Sequence, residues 1–293
     1  MSAETATQPD VWRAVAARLA EFAGVLPRDG ERVAVVGCGT SWFMAQAFAA
    51  LREEGGHGLT DAFAASEHRL NRDYDRVVLL TRSGTTTEVR HVLNHVRSSG
   101  TAHVSIVATS GSPVAQESEA AIVLPEADEQ SVVQTRFATS TLALLRASLG
   151  EDLAPAIADA RAVLGESEDQ VPGALVDAEQ VTFLGHGWSV GLAHEAALKV
   201  RESLQMWSES YPAMEYRHGP IAIAAPGRVV WALGQTPEGL LDEARKTGAH
   251  VEHRDTDPMA ELVRVHRLCL LRARRAGLNP DEPRGLTRSI VLG

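Results

Sequence analysis

Val33-Ala34-Val35-Val36-Gly37-Cys38-Gly39-Thr40-Ser41 is an apolar run broken by a glycine turn, and Val181-Thr182-Phe183-Leu184-Gly185-His186-Gly187-Trp188-Ser189 repeats its form 148 residues later (185 minus 37). At that offset Val33, Gly37, Gly39, Ser41, Ala45 and Glu54 match Val181, Gly185, Gly187, Ser189, Ala193 and Glu202. Both copies read as strand, tight glycine turn, helix, so the chain reads as a tandem repeat of two α/β units.

Only the first copy continues, after an apolar strand at residues 77–80, into Thr81-Arg82-Ser83-Gly84-Thr85-Thr86-Thr87-Glu88. The matching strand of the second copy, at 229–233, runs into Gly234-Gln235-Thr236-Pro237 instead. A glycine among clustered hydroxyls, at a strand end that opens a helix, offers backbone N–H groups and short donors to an anion, and the helix dipole favours negative charge there. The first loop therefore reads as a phosphate cradle.

Outward from these turns, residues 11–22 show helical spacing and end at Gly24, Pro27 and Gly30. Strands are expected at 32–36, 61–65, 76–80, 103–108 and 120–124, with helices at 41–54 and 85–98 between them, the pattern of a doubly wound parallel sheet. Residues 134–149 and 151–164 read as a helical hairpin, and the Glu-, Asp- and Pro-rich stretch 165–173 as a boundary. The second unit offers strands at 181–184, 228–233 and 249–253, a helix over about 258–276 and an extended tail from 277 to 293. Three regions follow: a helical segment at 1–30, a first domain at 31–165, and an abbreviated second domain at 174–293.

With 293 residues, 44% hydrophobic and 23% charged, the composition is that of a globular protein rather than a disordered or membrane-spanning one. Residues 1–10 lack the basic start and apolar stretch of a signal peptide, and Cys38 and Cys269 are too few for a disulfide framework, so a cytoplasmic location is expected. A net charge of −10 disfavours a broad nucleic-acid surface but leaves room for one local anion site. His91 and His95 share a helical face without a third ligand at matching spacing, so they read as solvent-facing. Neither a metal nor a cofactor is expected.

On a helix over 191–207, Leu192, Ala193, Ala196, Ala197, Val200, Ser203 and Leu204 share one apolar arc. Glu195, Lys199 and Glu202 share another. Two carboxylates around one lysine form either a solvated salt-bridge row or the wall of an active site. Beyond the helix, Tyr216-Arg217-His218-Gly219-Pro220 puts a histidine in a loop, either on the surface or pointing into a cleft.

Together, Gly37-Cys38-Gly39-Thr40-Ser41, the Ser83 to Thr86 loop, Glu195-Ala-Ala-Leu-Lys199-Val-Arg-Glu202, Arg217-His218-Gly219-Pro220 and Asp281-Glu282-Pro283-Arg284-Gly285-Leu286 resemble the sugar isomerase (SIS) family. The likeness is to the isomerase half of glucosamine-6-phosphate synthase and runs in order from about residue 30 to the end. It implies two tandem, flavodoxin-like SIS units and a homodimer with an active site shared between subunits. It further implies phosphate binding by Ser41, Thr81, Ser83 and Thr86 and a sugar contact from Thr40. Glu202 takes the role of the carboxylate that moves a proton between carbons 1 and 2, with Lys199 on the same face. His218 takes that of the ring-opening histidine, which the neighbouring subunit contributes. Carbon 2 is acidic only in the open-chain sugar, so one group must open the ring and another take the proton, a task suited to a partly buried Glu of raised pKa.

Three departures bound the likeness. Arg288 stands where the synthase carries the lysine that forms an imine with the ketose, and a guanidinium cannot be that nucleophile, although it can contact phosphate. Arg82 and Arg136 stand where Gln and Lys are usual, keeping cationic phosphate partners. No glutaminase domain or N-terminal cysteine is present, so glutamine is not expected as nitrogen donor. The expectation is an enzyme that abstracts the carbon-2 proton of glucosamine 6-phosphate or N-acetylglucosamine 6-phosphate, first as a deaminating isomerase, with elimination of the carbon-3 hydroxyl from the N-acetyl sugar as the alternative. A non-catalytic sugar-phosphate sensor is the competing class.

Overall fold

The computed structural model describes residues 1–292. Two parallel sheets organise the chain. Elements run α1 (Ser2–Ala17), α2 (Leu19–Phe22), β1 (Val33–Gly37), α3 (Thr40–Glu54), β2 (Thr60–Ala64), β3 (Arg76–Thr81), α4 (Thr87–Ser99), β4 (His103–Val107), α5 (Pro113–Glu117), β5 (Ala120–Val123), α6 (Arg136–Ser148), α7 (Ala154–Gly165) and α8 (Gly173–Val176). They continue with β6 (Gln180–Gly185), α9 (Ser189–Leu204), β7 (Ser208–Pro212), β8 (Arg228–Leu233), α10 (Leu240–Lys246), β9 (His250–His253) and α11 (Pro258–Ala276).

The first sheet has the order β2-β1-β3-β4-β5 and the second the order β7-β6-β8-β9. All pairings are parallel, with Val35 opposite Val78 in the first sheet and Phe183 opposite Trp231 in the second. In such a sheet, ligands bind beyond the carboxyl ends of the strands where the order reverses, here between β1 and β3. The Gly37 turn and the Thr81 to Thr86 loop both emerge at that point.

In the first unit β1 is buried at every position, as a parallel strand covered on both faces requires. Val89, Val92, Leu93 and Val96 of α4 lie one helical turn apart and pack on Ala34, Val36, Val77 and Leu79. Each such side chain contributes about 1.5–3 kcal/mol on burial. The buried Glu129 carboxylate starts α6 by accepting from the Thr135, Arg136 and Phe137 N–H groups at 2.7, 2.9 and 2.9 Å. A carboxylate at a helix N-terminus meets unpaired donors and the positive end of the dipole.

The repeated glycine has one physical cause in both copies. A Cβ on Gly37 would stand 2.7 Å from the Ser41 carbonyl carbon, and one on Gly185 2.3 Å from the Ser189 oxygen, so only glycine lets the helix start this close to the strand. The copies differ at the serine. Ser189 Oγ donates to the Leu233 carbonyl at 2.8 Å and is held by the His186 backbone, which closes the second turn on itself.

In the second unit Leu192, Ala193, Ala196, Ala197 and Val200 form the buried face of α9, as the helical spacing predicts. Asp257 caps α11 by accepting from the Met259 N–H at 2.8 Å. Edge strand β7 is absent from the sequence reading, because Ser-Glu-Ser-Tyr-Pro carries no apolar run.

Helix α1 starts at Ser2, well before the residue 11 expected, and continues through Pro9; burial of Thr5 and Gln8 overrides the proline signal. Helix α4 starts at Thr87 rather than 85, because Ser83 to Thr86 stay in the loop. Asp10–Gln130, Gln134–Leu153 and the tail from Thr287 make up the first compact unit, whereas Met1–Pro9, Ser131–Val133 and Ala154–Leu286 make up the second. The units are interleaved along the chain, unlike the contiguous regions 1–30, 31–165 and 174–293 read from sequence. Among the described residues no helix is long and apolar enough to cross a membrane.

Candidate functional site

In the first unit, Ser41 at the start of α3 and Thr81, Arg82, Ser83 and Thr86 after β3 line one small polar cavity of about 30 Å³, together with Cys38, Gln134 and Arg288. Ser41, Thr81, Arg82 and Ser83 are buried. Gly84 makes the turn: its φ is +64°, and a Cβ there would stand 2.1 Å from Ser112 Oγ. Thr40, the neighbour of Ser41 in the chain, is buried but does not line the cavity. Arg136 does not line it either; its side chain donates to the Asp128 carbonyl.

The tail of the chain closes over this loop. Ser289 Oγ bonds Ser83 Oγ at 3.1 Å, Thr85 Oγ1 at 2.9 Å and Thr86 Oγ1 at 3.2 Å. Arg82 donates to the Arg288 carbonyl at 2.9 Å, and the Arg288 guanidinium donates to Asp128 at 2.5 Å. Burial pushes the Cys38 thiol up to about 11, which keeps it protonated and unreactive at neutral pH. Sequence reasoning missed Gln134 and Ser289. Nothing local marks Ser289, whose partners lie more than 200 residues away.

In the second unit, the Glu195, Lys199 and Glu202 row is not a solvated one. Lys199 and Glu195 are fully buried, and the Lys199 Nζ lies 3.3 Å from Glu195 and 2.5 Å from Glu202. Burial alone lowers the ammonium's pKa, but the charges of Glu195 and Glu202 outweigh it and raise Lys199 above its ordinary value. The Glu202 side chain is 19% exposed and forms part of the wall of a cavity of about 500 Å³. Leu198, Arg201, Met206, Trp207, Arg284 and Leu286 complete most of that wall. His218 ends a 3-10 turn, Glu215–His218, and is exposed. His91 and His95 are also exposed.

Behind Lys199 lies His266, fully buried, with Nδ1 3.1 Å from the Gln8 amide nitrogen. Burial, and next the Lys199 charge, push its pKa down to about 3. The folded protein therefore keeps His266 neutral while the unfolded chain takes up a proton near the ordinary 6.5. That contribution to stability is complete above pH 6.5 and is lost as pH falls from there toward 3, at about 1.4 kcal/mol per pH unit. Denaturant unfolding at pH 7 and pH 5 should show a loss in the wild type that His266→Gln reduces by about 2 kcal/mol.

A parallel α/β sheet with a hydroxyl-rich loop at its switch point places the chain in the doubly wound α/β class. Residues 28–149 match the SIS domain. It is similar to the glutamine--fructose-6-phosphate aminotransferase [isomerizing] of Sulfurisphaera tokodaii, 26% identical over 298 residues that make up 90% of this chain and 51% of the relative. The Bacillus subtilis enzyme of the same name is 23% identical, covering 100% and 58%. The chain thus spans about half the length of the curated relatives it matches.

Among solved structures, glucosamine-6-phosphate deaminase from Thermotoga maritima superposes with a TM-score of 0.80 at 24% identity, over 99% of this chain and 100% of that one. Tagatose-6-phosphate ketose/aldose isomerase from Escherichia coli gives 0.79 at 17% identity, over 99% and 95%. The chain shares its fold with these two structures.

Proposed function

We propose that this chain is an enzyme of amino-sugar phosphates that abstracts the carbon-2 proton of an open-chain hexosamine 6-phosphate. The observation that carries the reading is Glu202: a carboxylate in the wall of a cavity of ligand size, held by a buried ammonium at 2.5 Å. Such a group is held in one place, and so can act as a base without reorganising. The names of the aminotransferase and deaminase to which the chain is similar support the substrate class.

In this reading Ser41, Thr81, Ser83 and Thr86 donate hydroxyl hydrogen bonds to the phosphate, Arg82 and Arg288 neutralise it, and Thr40 contacts the sugar. Lys199 orients Glu202. His218, from the neighbouring subunit of a homodimer, opens the ring. Glu202 takes the proton from carbon 2 and returns it to carbon 1. With a free amine the imine at carbon 2 then hydrolyses, giving a ketose phosphate and ammonia. With an acylated amine that route is blocked, and the intermediate expels the carbon-3 hydroxyl.

The test is proton NMR in D2O with glucosamine 6-phosphate and, separately, N-acetylglucosamine 6-phosphate. Loss of the carbon-2 signal from one of them is expected, with a ketose and ammonia or a vinylic proton naming the branch. Binding of both sugars with no exchange at carbon 2 would overturn the enzyme reading and leave a binding protein.

A further inference from the structure

From the cavity beside Glu202 we infer that the substrate's nitrogen carries an uncharged acyl group, which this cavity seats against Trp207. The inference rests on Glu202 acting as the base, and adds to it a subsite and a choice of chemistry.

The charges lining the cavity argue first. Glu202 is already paired with Lys199, and Lys199 is also paired with Glu195. Arg201 and Arg284 add two further cations to the same wall. Arg201 is anchored there by donating to the Ser208 carbonyl at 3.0 Å. In the lining itself two cations thus face one carboxylate, and that carboxylate is already paired. A sugar ammonium would enter a surplus of like charge with no free carboxylate to meet it, whereas an amide would meet guanidinium donors for its carbonyl oxygen.

The apolar wall argues the same way. Leu198, Met206, Trp207 and Leu286 line the cavity, and Trp207 is 72% exposed with Leu286 at 40%. A concave site of about 500 Å³ is the size of a small-molecule pocket rather than a protein-docking face. The methyl of an acyl group gains apolar contact from an indole face, whereas the cation–π attraction that an ammonium would find there is opposed by the Arg201 and Arg284 guanidinium groups in the same lining.

This subsite selects elimination. Once Glu202 holds the carbon-2 proton, the amide nitrogen gives no hydrolysable imine. The C3–O bond breaks and a C2=C3 double bond forms in conjugation with the carbon-1 aldehyde. The proton on Glu202 passes to the leaving oxygen, so one water departs and no other reactant is required.

The experiment compares the wild type on glucosamine 6-phosphate, its N-acetyl and its N-propanoyl forms by NMR in D2O, together with Trp207→Ala and Trp207→Phe. Since Trp207 is solvent-exposed, both variants should fold, and circular dichroism checks that they do. The N-acetyl sugar is expected to give a vinylic product with kcat/KM at least about tenfold above that on the free amine. Trp207→Ala should raise KM for the N-acetyl sugar about tenfold with kcat little changed, and Trp207→Phe should recover most of it. Equal or better turnover of the free amine, or an unchanged KM in Trp207→Ala, would overturn the subsite alone. No exchange on any of the three sugars would overturn the role of Glu202, and the subsite with it.

Discussion

Glu202→Gln should abolish turnover while leaving the protein folded and its phosphate-dependent binding intact. The amide has the shape of the carboxylate and still offers an oxygen to Lys199, which lies 2.5 Å away. It cannot take a proton at neutral pH. A positioned general base contributes about 10²–10⁴ in rate, and carbon-bound protons leave slowly without one, so kcat should fall by at least about 10³-fold. Carbon-2 exchange in D2O measures the loss, and calorimetric titration with inorganic phosphate measures what is retained. Unchanged turnover would sink the assignment of Glu202. Loss of phosphate binding along with turnover would point to a fold defect instead, which a thermal melt would reveal.

Lys199→Met should cost the second unit about 3–5 kcal/mol, because it removes the ammonium that lies 3.3 Å from the fully buried Glu195. Methionine fills nearly the same volume, so the loss is electrostatic rather than a cavity effect. The protein's response is to protonate Glu195, so the variant should be least impaired at acid pH. The double variant Lys199→Met with Glu195→Leu removes both charges and should regain most of the stability. It should not regain activity, since Glu202 would still lack the ammonium that orients it. Urea unfolding of the three proteins, with kcat measured on each, separates the two roles. If the single variant is as stable as the wild type, the pair is not the buried one described.

These two residues show how much the chain disclosed. The spacing of Glu195, Lys199 and Glu202 placed all three on one arc of α9, and the structure keeps them there. What the spacing left open was burial: the same pattern describes a solvated row. Burial of Lys199 comes from packing in the second unit, and no local pattern encodes it. The hydroxyl loop was more legible, because Gly84 in a run of hydroxyls after an apolar strand already marks the turn that the structure shows. Gln134 was not legible, since a glutamine ahead of a helix carries no periodic or turn signal.

The tail gives the same lesson from the other direction. Residues 277–293 read only as extended chain, and Ser289 became notable once its hydroxyl met those of Ser83, Thr85 and Thr86. Likewise Trp207 is one aromatic at a helix end until it stands with Leu198, Met206 and Leu286 around a cavity.

By itself the sequence determined the two α/β repeats, the glycine turns that join strand to helix, the hydroxyl loop and the row of Glu195, Lys199 and Glu202, because each is written in spacings of a few residues where backbone sterics and side-chain period leave little choice. Only the tertiary structure decided which of those residues are dry, which distant segment closes on the loop and what lines the cavity beside Glu202. Those depend on contacts between residues far apart in the chain, and packing, not local propensity, sets them.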